Sequence, residues 1–273
     1  MIFILSFRKS GPKMKRTDAQ IYVLCHKDVP YGIRSNSLYT SIECGAACRD
    51  VHPSADIRDD DGADNMSAWN PFVAENSAVY WIWKHHDRGL KYIGNVQYRR
   101  LLDFDENTDF DSLFRRYDAI SCKPLSFKKM TVAEQFDECH GIKYLNLVGD
   151  IIRERYPRSY YRKWRRFIFR RHRLYYSCGF VLRAAEYDRY VSFLFDIFSA
   201  LNERIGVQTV QQAMDYTRTE IEKGFLANRE KREYRYSEQL EGFLAERIFT
   251  FWIRMNFRRI LEIQYTLMED SKI

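Results

Sequence analysis

One block of the chain, ENSAVYWIWKHHDRGLKYIGNVQYRR at residues 75–100, constrains the fold more than any other segment. Its first half, Glu75 to His86, has the length of a helix and carries aromatic side chains throughout. Gly89 follows shortly afterwards and suits the left-handed conformation in which many helices end. A helix that is apolar on nearly all sides is normally buried. The first half of the block therefore predicts a buried helix that ends before Gly89.

The second half of the block has the pattern of a β-strand. Tyr92 to Tyr98 (YIGNVQY) is rich in strand-forming residues, and Gly94 within it allows a second backbone to approach closely. Such a strand carries Arg99 and Arg100 to its carboxyl end. Two adjacent guanidinium groups are costly there without a partner of opposite charge. The block as a whole predicts a helix and a strand of an α/β domain, with two arginines at the strand end.

Strand-like and helix-like patterns alternate along the rest of the chain. The predicted strands are Ile21–Leu24, Tyr117–Cys122 and Tyr175–Leu182, and the predicted helices are Ala185–Ile205 and Gly242–Phe257. This alternation predicts an α/β sheet with a helical lid or C-terminal layer. A chain of 273 residues suffices for one large α/β domain, which we assign to residues 19–273 after an N-terminal extension at 1–18.

Membrane-spanning and metal-binding classes find little support in the sequence. The longest apolar runs, MIFIL at the start and AVYWIW at 78–83, fall far short of the ~20 residues that cross a bilayer. The opening segment has its apolar stretch before its basic stretch, the reverse of a secretory signal. The six cysteines form no C-x-x-C pair, so we expect reduced, buried thiols. Cys44, Cys48 and His52 lack a fourth ligand for zinc, and we reject that site.

The positive charge is concentrated in one segment, residues 153–173, which holds ten Lys or Arg residues. The aromatic residues that interleave with them are Tyr160, Tyr161, Trp164, Phe167 and Phe169. Such a segment is typical of a solvated helix face, of a surface that binds anionic membranes, or of a nucleic-acid site. No recognised nucleic-acid motif accompanies it, so a nucleic-acid site is the least favoured of these three interpretations.

Two further segments place polar residues where α/β proteins bind ligands. His26 and Lys27 follow the first predicted strand, and open α/β sheets bind ligands at the carboxyl ends of their strands. Residues 56–70 are acidic, amide-rich and interrupted by glycine, which predicts an exposed loop. Asp64 and Asn65 in this loop are candidate binding residues. The alternative for His26 is a surface histidine beside a turn. The alternative for Asp64 and Asn65 is ordinary loop capping.

Motifs spread between Ile21 and about Phe257 carry a family resemblance. In chain order they are IYVLCHKD at 21–28, DNMS at 64–67 followed by Asn70, ENSAVYWIWKH at 75–85, YIGNVQYRR at 92–100, His140, SCGFVLRAAEYDRYVSFLFDIF at 177–198 and GFLAERIFTFWI at 242–253. On these motifs the chain resembles a family of bacterial capsule and O-antigen glycosyltransferase-like proteins, long catalogued as a domain of unknown function. The family usually has His where Gln97 stands and Asn where Ser177 or Cys178 stands.

The resemblance implies a GT-A-like (Rossmann-like) mixed sheet with flanking helices and a helical C-terminal layer. It implies transfer of a sugar from a nucleotide donor, expected to be a UDP-sugar, to a capsular, O-antigen or lipid-linked glycan; galactose-type donors, including the furanose form, are associated with some relatives. It places Tyr98 and Gly179 among the donor-binding residues. We accordingly expect a cytoplasmic protein, peripheral at the inner face of the plasma membrane.

Glycosyl transfer requires neutralisation of the departing diphosphate, and two kinds of group are candidates. Arg99 and Arg100 offer fixed forks of hydrogen-bond donors for phosphate oxygens, with a structural ion pair to Glu75 as the alternative. Asp103 and Asp105 form an Asp-x-Asp pair that could instead hold Mg or Mn, and they are the alternative metal site; the same short pattern recurs at Asp109 and Asp111. We favour catalysis by the arginines without a required cofactor.

The acceptor hydroxyl needs a base, for which Glu246 is the first candidate. Its position in LAER is comparable to that of the carboxylate near the acceptor in inverting GT-A enzymes, and a carboxylate can accept the hydroxyl proton. The alternative is a carboxylate that stabilises a helix start. His140 is a second candidate, as base or diphosphate contact. Two other functions stay open: an inactive scaffold, suggested by Gln97, and a basic nucleic-acid-binding protein.

Overall fold

The computed structural model describes residues 18–29, 37–176, 178–223 and 239–267. The N-terminal extension expected at 1–18 therefore lies outside the described residues, except for Asp18. No helix in the described part of the chain is long and apolar enough to cross a membrane.

Strands and helices alternate along the described chain. The strands are β1 (Ala19–Cys25), β2 (Tyr39–Glu43), β3 (Ile57–Arg58), β4 (Tyr92–Gln97), β5 (Arg100–Leu101), β6 (Ala119–Cys122), β7 (Leu125–Ser126), β8 (Arg173–Leu174), β9 (Phe180–Arg183), β10 (Ile260–Ile263) and β11 (Thr266–Leu267). The helices are α1 (Asn70–Val73), α2 (Asn76–His85), α3 (Phe110–Arg116), α4 (Val132–His140), α5 (Lys143–Arg155), α6 (Arg158–Arg170), α7 (Ala184–Ile205), α8 (Val210–Glu222) and α9 (Leu240–Asn256). Short 3₁₀ helices span Ala46–Cys48 and Ser67–Trp69.

The larger sheet is mixed, with the strand order β10, β6, β9, β4, β1, β2 and β3. β1 is parallel to both of its neighbours, so that Tyr22 lies opposite Thr40 on β2 and Asn95 on β4. β9 runs antiparallel between β4 and β6. β5 turns back on the end of β4 and also pairs with β11. The α/β class expected from the alternating pattern is confirmed.

Gly94 allows β4 to pack at the centre of this sheet. A Cβ atom added at Gly94 would lie 2.7 Å from the carbonyl oxygen of Phe180 and 2.9 Å from Cγ2 of Val181. Real Cβ atoms do not approach a backbone oxygen so closely, so any other residue would force β4 and β9 apart. The close backbone approach expected at this glycine is therefore present.

The sheet has a hydrophobic core on each face. Successive side chains of a strand point to opposite faces, and on β1 Tyr22 belongs to one core while Ile21 and Val23 belong to the other. The larger core holds apolar residues of α2, α7 and α9, and the smaller one holds Phe110 and Phe114 of α3. The predicted helical layer is thus present on one face of the sheet.

Helix α2 differs from its predicted form in its end and in its burial. It spans Asn76–His85 and is followed by His86 in an extended conformation, and Gly89 does not adopt a left-handed conformation. The C-terminal half is not buried all round: Trp83 is half-buried, and the ammonium of Lys84 lies 4.3 Å from its ring centroid. A cation and solvent, rather than the core, therefore cover part of the aromatic surface.

Three other predictions also need correction. The strand expected at Tyr175–Leu182 begins only at Phe180, because Gly179 has φ of 110° and interrupts the extended chain. The loop expected at 56–70 includes β3 and a 3₁₀ turn, and Asp59 within it is fully buried. Cys48 is exposed in a short 3₁₀ helix, whereas the other described cysteines with assigned burial are buried.

Candidate functional site

Polar and aromatic side chains converge where β4 ends. The strand-end cluster comprises Glu75, Gln97, Arg100, Tyr176, Cys178, Glu246 and Tyr265, which come from six separate segments of the fold. β4 reaches this point because its apolar residues are buried in both cores, and the β4 to β5 hairpin then reverses the chain. Gln97 and Arg100 are a cross-strand pair of this hairpin, so both project on the same face of the sheet.

Gln97 connects the two charged groups of the hairpin region. Its Nε2 donates to Oε1 of Glu75 over 3.3 Å, and its Oε1 accepts a hydrogen bond from Nη1 of Arg100. Sγ of Cys178 donates to the same Glu75 oxygen over 3.3 Å. The amide thus uses its donor toward the carboxylate and its acceptor toward the guanidinium, which fixes both neighbours in place.

Two tyrosine rings hold the guanidinium of Arg100. Its central carbon lies 4.6 Å from the ring centroid of Tyr176 and 5.8 Å from that of Tyr265, and the two rings meet edge to face. A cation beside aromatic faces is attracted by their quadrupoles. Burial raises the pKa of Tyr176, and the positive charge of Arg100 opposes the rise. The half-buried Arg100 is therefore held in one orientation by these rings and by Gln97.

Glu246 on α9 is the second charged group that faces this point. Burial raises the pKa of its carboxyl; the positive charges of Arg247 and Arg100 lower it, and the negative charge of Glu75 raises it. Nη1 of Arg247 donates to Oε2 of Glu246 over 2.7 Å, and the Glu246 side chain keeps 26% of its exposure. Gln135 accepts from the other end of that guanidinium. A carboxylate with a raised pKa and some access to solvent suits proton transfer.

Arg99 lies in a second, adjacent group. Its guanidinium is 5.1 Å from the ring centroid of Tyr98, and this ring meets the His26 ring edge to face at 5.0 Å. Nη1 of Arg49 donates to the backbone oxygen of His26 over 2.7 Å. Lys27 follows at the exposed end of β1. The carboxyl ends of β1 and β4 thus bring together four residues selected from the sequence: His26, Lys27, Tyr98 and Arg99.

The structure does not bring Asp64 and Asn65 to the strand ends. Asp64 accepts a hydrogen bond from Tyr80 over 2.7 Å and lies 3.4 Å from Nζ of Lys84, both on α2 well past Glu75. The Asn65 side chain donates to the backbone oxygen of Gly62 and accepts from the backbone nitrogen of Ser67. The Asn65 contacts are those of ordinary loop capping, whereas the Asp64 contacts hold the loop against α2.

Two other candidates have packing explanations. The buried His140 ring stacks on Phe243 at 3.9 Å between centroids and lies 4.9 Å from Phe136, so its described contacts are with core aromatics. A Cβ atom on Gly179 would lie 2.4 Å from Sγ of Cys122. Gly179 is therefore required by the junction of β4, β6 and β9, whatever binds nearby.

The acidic residues that follow β5 are engaged in local structure. Oδ1 of Asp105 accepts from the backbone nitrogen of Asn107 and from Oγ1 of Thr108, as in an Asx turn. Asp109 caps α3 through the backbone nitrogen of Ser112, and Asp111 accepts from the Tyr92 hydroxyl. Asp103 is exposed. Within the described ranges, no group of three or more His, Cys, Asp or Glu residues is arranged to hold a metal ion.

The sheet order, the antiparallel β9 beside β4 and the polar groups at the ends of β1 and β4 define a GT-A-like α/β fold. A solved structure described as the apo structure of the WbbM bifunctional glycosyltransferase shares this fold, with a TM-score of 0.70 and 20% sequence identity. The alignment covers 92% of this chain and 45% of that chain, so this chain spans less than half of that protein. No curated protein sequence matches.

The family is defined by sequence as well. The chain belongs to the family described as "Domain of unknown function (DUF4422)", whose model matches residues 20–229. This match confirms the family to which the motifs between Ile21 and Phe257 pointed.

Several residues of the strand-end cluster were not selected from the sequence. Glu75 was considered only as an ion-pair partner for an arginine, yet its described hydrogen bonds come from Gln97 and Cys178. Its place as the first residue of the conspicuous 75–100 block was an available signal. Tyr176 and Tyr265 gave none, because a local sequence pattern does not reveal which cation an aromatic ring will contact.

Proposed function

We propose that this protein is a glycosyltransferase that moves a sugar from a nucleotide-sugar donor to a glycan acceptor. The observation that carries the proposal is that one strand end brings a fixed guanidinium, Arg100, into electrostatic reach of a carboxyl group with a raised pKa, Glu246. Ligands of open α/β sheets bind at the carboxyl ends of the strands, which is where both groups lie.

The guanidinium groups would act on the departing diphosphate. In the transfer, the acceptor oxygen forms a bond to the anomeric carbon while the bond from that carbon to the diphosphate oxygen breaks, and negative charge collects on the leaving nucleotide. A cation fixed before the reaction begins stabilises that charge without reorganising. Arg100 meets this condition through Tyr176 and Tyr265, and Arg99 lies beside it on the hairpin.

Glu246 would take the proton of the acceptor hydroxyl. Its raised pKa places the carboxylate closer to the basicity that proton abstraction at neutral pH requires, and Arg247 holds one of its oxygens. Glu75 and Gln97 are assigned a positioning role, because the amide ties the carboxylate to the Arg100 guanidinium. Gln97 then replaces the usual His as a neutral connector that does not itself transfer a proton.

The donor would extend from the strand-end cluster toward the end of β1. His26, Lys27 and Arg99 offer an exposed imidazole, ammonium and guanidinium, and the buried Tyr98 ring packs against the first and the last of them. An aromatic ring edge suits a nucleobase and two cations suit a phosphate. We therefore propose a UDP-sugar as donor. The acceptor would be a capsular, O-antigen or lipid-linked glycan in the cytoplasm, and the arginines rather than a metal at Asp103 and Asp105 would face the diphosphate.

Titration calorimetry with a panel of sugar nucleotides tests the donor assignment. We expect saturable binding of a uridine sugar nucleotide that is weakened at least tenfold in Arg99→Ala and that persists in the presence of a metal chelator. Arg115→Ala, an exposed arginine on α3, is the matched control and should bind like the wild type. Absence of binding by every nucleotide sugar would overturn the proposal.

One observation favours a second function, that of a non-catalytic scaffold. Gln97 stands where the family usually has His, and its amide donates to Glu75 and accepts from Arg100. Product analysis by mass spectrometry separates the two functions: the enzyme transfers a sugar to acceptor glycan, whereas the scaffold binds donor or glycan and yields no product even after Gln97→His.

A further inference from the structure

Helix α6 has one buried face and one strongly basic face. Trp164, Phe167 and Ile168 pack in the larger core. On the other side, residues at i, i+3, i+4, i+7 and i+8 form a single stripe. We call this stripe the α6 basic face, and its members are Arg162, Arg165, Arg166, Phe169 and Arg170.

The charges of this helix are not neutralised by the fold. Residues 158–170 contain six Lys or Arg residues and no Asp or Glu, and without these six charges the formal net charge of +7 would fall to +1. Among the described residues, none of the four arginines of the α6 basic face forms an ion pair. Arg155 on the preceding helix, by contrast, pairs with Asp196 and Glu203. The cations of α6 are thus available to an external anion.

An apolar side chain lies in the middle of these cations. Phe169 is 38% exposed, and the guanidinium of Arg165 lies 4.3 Å from its ring centroid. The four arginines and Phe169 line an open depression of about 470 Å³. One exposed phenyl group among four guanidinium groups matches a surface that has anionic phosphates outside and hydrocarbon beneath.

We propose that the α6 basic face docks this protein on an anionic phospholipid membrane, with phosphate headgroups between the arginines and the Phe169 ring at the level of the acyl chains. A nucleic-acid site would stack successive bases on several exposed aromatic residues. On this helix Phe169 is the one exposed aromatic residue, because Trp164 and Phe167 are in the core and Tyr160 and Tyr161 are half-buried against it. The charge pattern and the single exposed ring therefore favour a membrane.

The α6 basic face lies near the strand-end cluster along the chain. Tyr176, which contacts Arg100, follows the end of α6 at Arg170 by six positions, and so short a segment spans about 20 Å at most. A membrane bound at α6 would therefore bring lipid-linked molecules close to the candidate site. The docking proposal itself does not depend on the proposed function.

Flotation of the full chain with lipid vesicles tests the proposal. We expect binding to vesicles that contain phosphatidylglycerol, little binding to pure phosphatidylcholine, and loss of binding at high salt. The double variant Arg162→Gln, Arg166→Gln should bind about 25-fold more weakly, since each cation near an anionic surface contributes roughly a fivefold change. Phe169→Ala should weaken binding without changing its dependence on salt.

The matched control is Arg115→Gln with Arg116→Gln, which removes two exposed charges at the end of α3, against the smaller core. It should bind anionic vesicles like the wild type. The proposal would be overturned if the two double variants lost binding equally, or if the protein bound neutral and anionic vesicles equally. It would also be overturned if the protein bound a single-stranded oligonucleotide through the α6 basic face more tightly than it bound vesicles. Calorimetry with sugar nucleotides should be unchanged in both variants, which separates this outcome from failure of the proposed function.

Discussion

Replacing Arg100 by Ala should change the pH dependence of transfer as well as its rate. Arg100 lowers the pKa of Glu246 through its positive charge. If Glu246 is the base, it must be ionised, so activity falls as pH decreases through its pKa. Without Arg100 that pKa rises, and the acid limb of the kcat/KM profile should move to higher pH.

The Arg100→Ala change should affect both the stability of the protein and the rate of transfer. Two ring contacts at about 0.5–1 kcal/mol each and a charged hydrogen bond to Gln97, discounted for partial exposure, contribute about 2 kcal/mol to stability. This is a fraction of the 5–15 kcal/mol typical of a folded protein. Loss of a preorganised donor to the developing charge costs about 3–4 kcal/mol, so kcat should fall 10²–10³-fold in a folded protein.

The assay is product formation measured across a range of pH, with Arg99→Ala as the control. Arg99 contacts Tyr98 and is not among the groups that shift Glu246. We expect Arg99→Ala to weaken donor binding and to leave the acid limb in place. An unmoved acid limb in Arg100→Ala, or an equal displacement in both variants, would refute the assignment of Glu246 as the base that Arg100 tunes.

Three further outcomes follow from the structure. Glu246→Gln should lower kcat by 10²–10⁴ while sugar-nucleotide affinity in calorimetry stays within a few fold. Gly94→Ala should destabilise the fold by about 1–3 kcal/mol in urea unfolding, since its Cβ would meet the Phe180 carbonyl at 2.7 Å, and a wild-type midpoint would contradict the packing described. Glu241 is fully buried; burial raises the pKa of its carboxyl, and the side chain of Asn202 opposes the rise. The pKa of Glu241 is higher in the folded than in the unfolded protein. The stability that the protonated carboxyl contributes is therefore fully present below the unfolded pKa and is lost as pH rises through the folded pKa. Glu241→Gln should abolish this loss, which urea unfolding at several pH values would measure.

The elements that could be predicted from sequence are those with strong local patterns. β1, β4, α7 and α9 follow their apolar periodicity to within one or two residues, and Gly94 identified a close backbone approach. The errors fall where tertiary contacts override the local pattern. Gly179 interrupts an otherwise strand-like segment, because β6 packs against it at Cys122.

The candidate site was also predicted only where a local sequence pattern indicated it. Arg99 and Arg100 could be placed because they end a recognisable strand, and the ends of neighbouring parallel strands meet at one edge. The contact of Asp64 with α2 could not be predicted, since a loop of that length can lie along α2 as readily as over the strand ends. The ring of Tyr265 beside Arg100 depends on how β11 pairs with β5, which is a long-range pairing that no local pattern reveals.

The position of Tyr265 has a consequence for how the site is formed during synthesis. The parallel strands β1, β2 and β4 all lie in the first part of the chain and can pair before the rest emerges from the ribosome. Tyr265, which forms one side of the Arg100 enclosure, directly precedes β11, the last of the described elements. A nascent chain would therefore possess most of the sheet before the Arg100 enclosure is complete, and truncation before β10 should leave seven of the nine described strands of the larger sheet, with Arg100 held by Gln97 and Tyr176 but not by Tyr265.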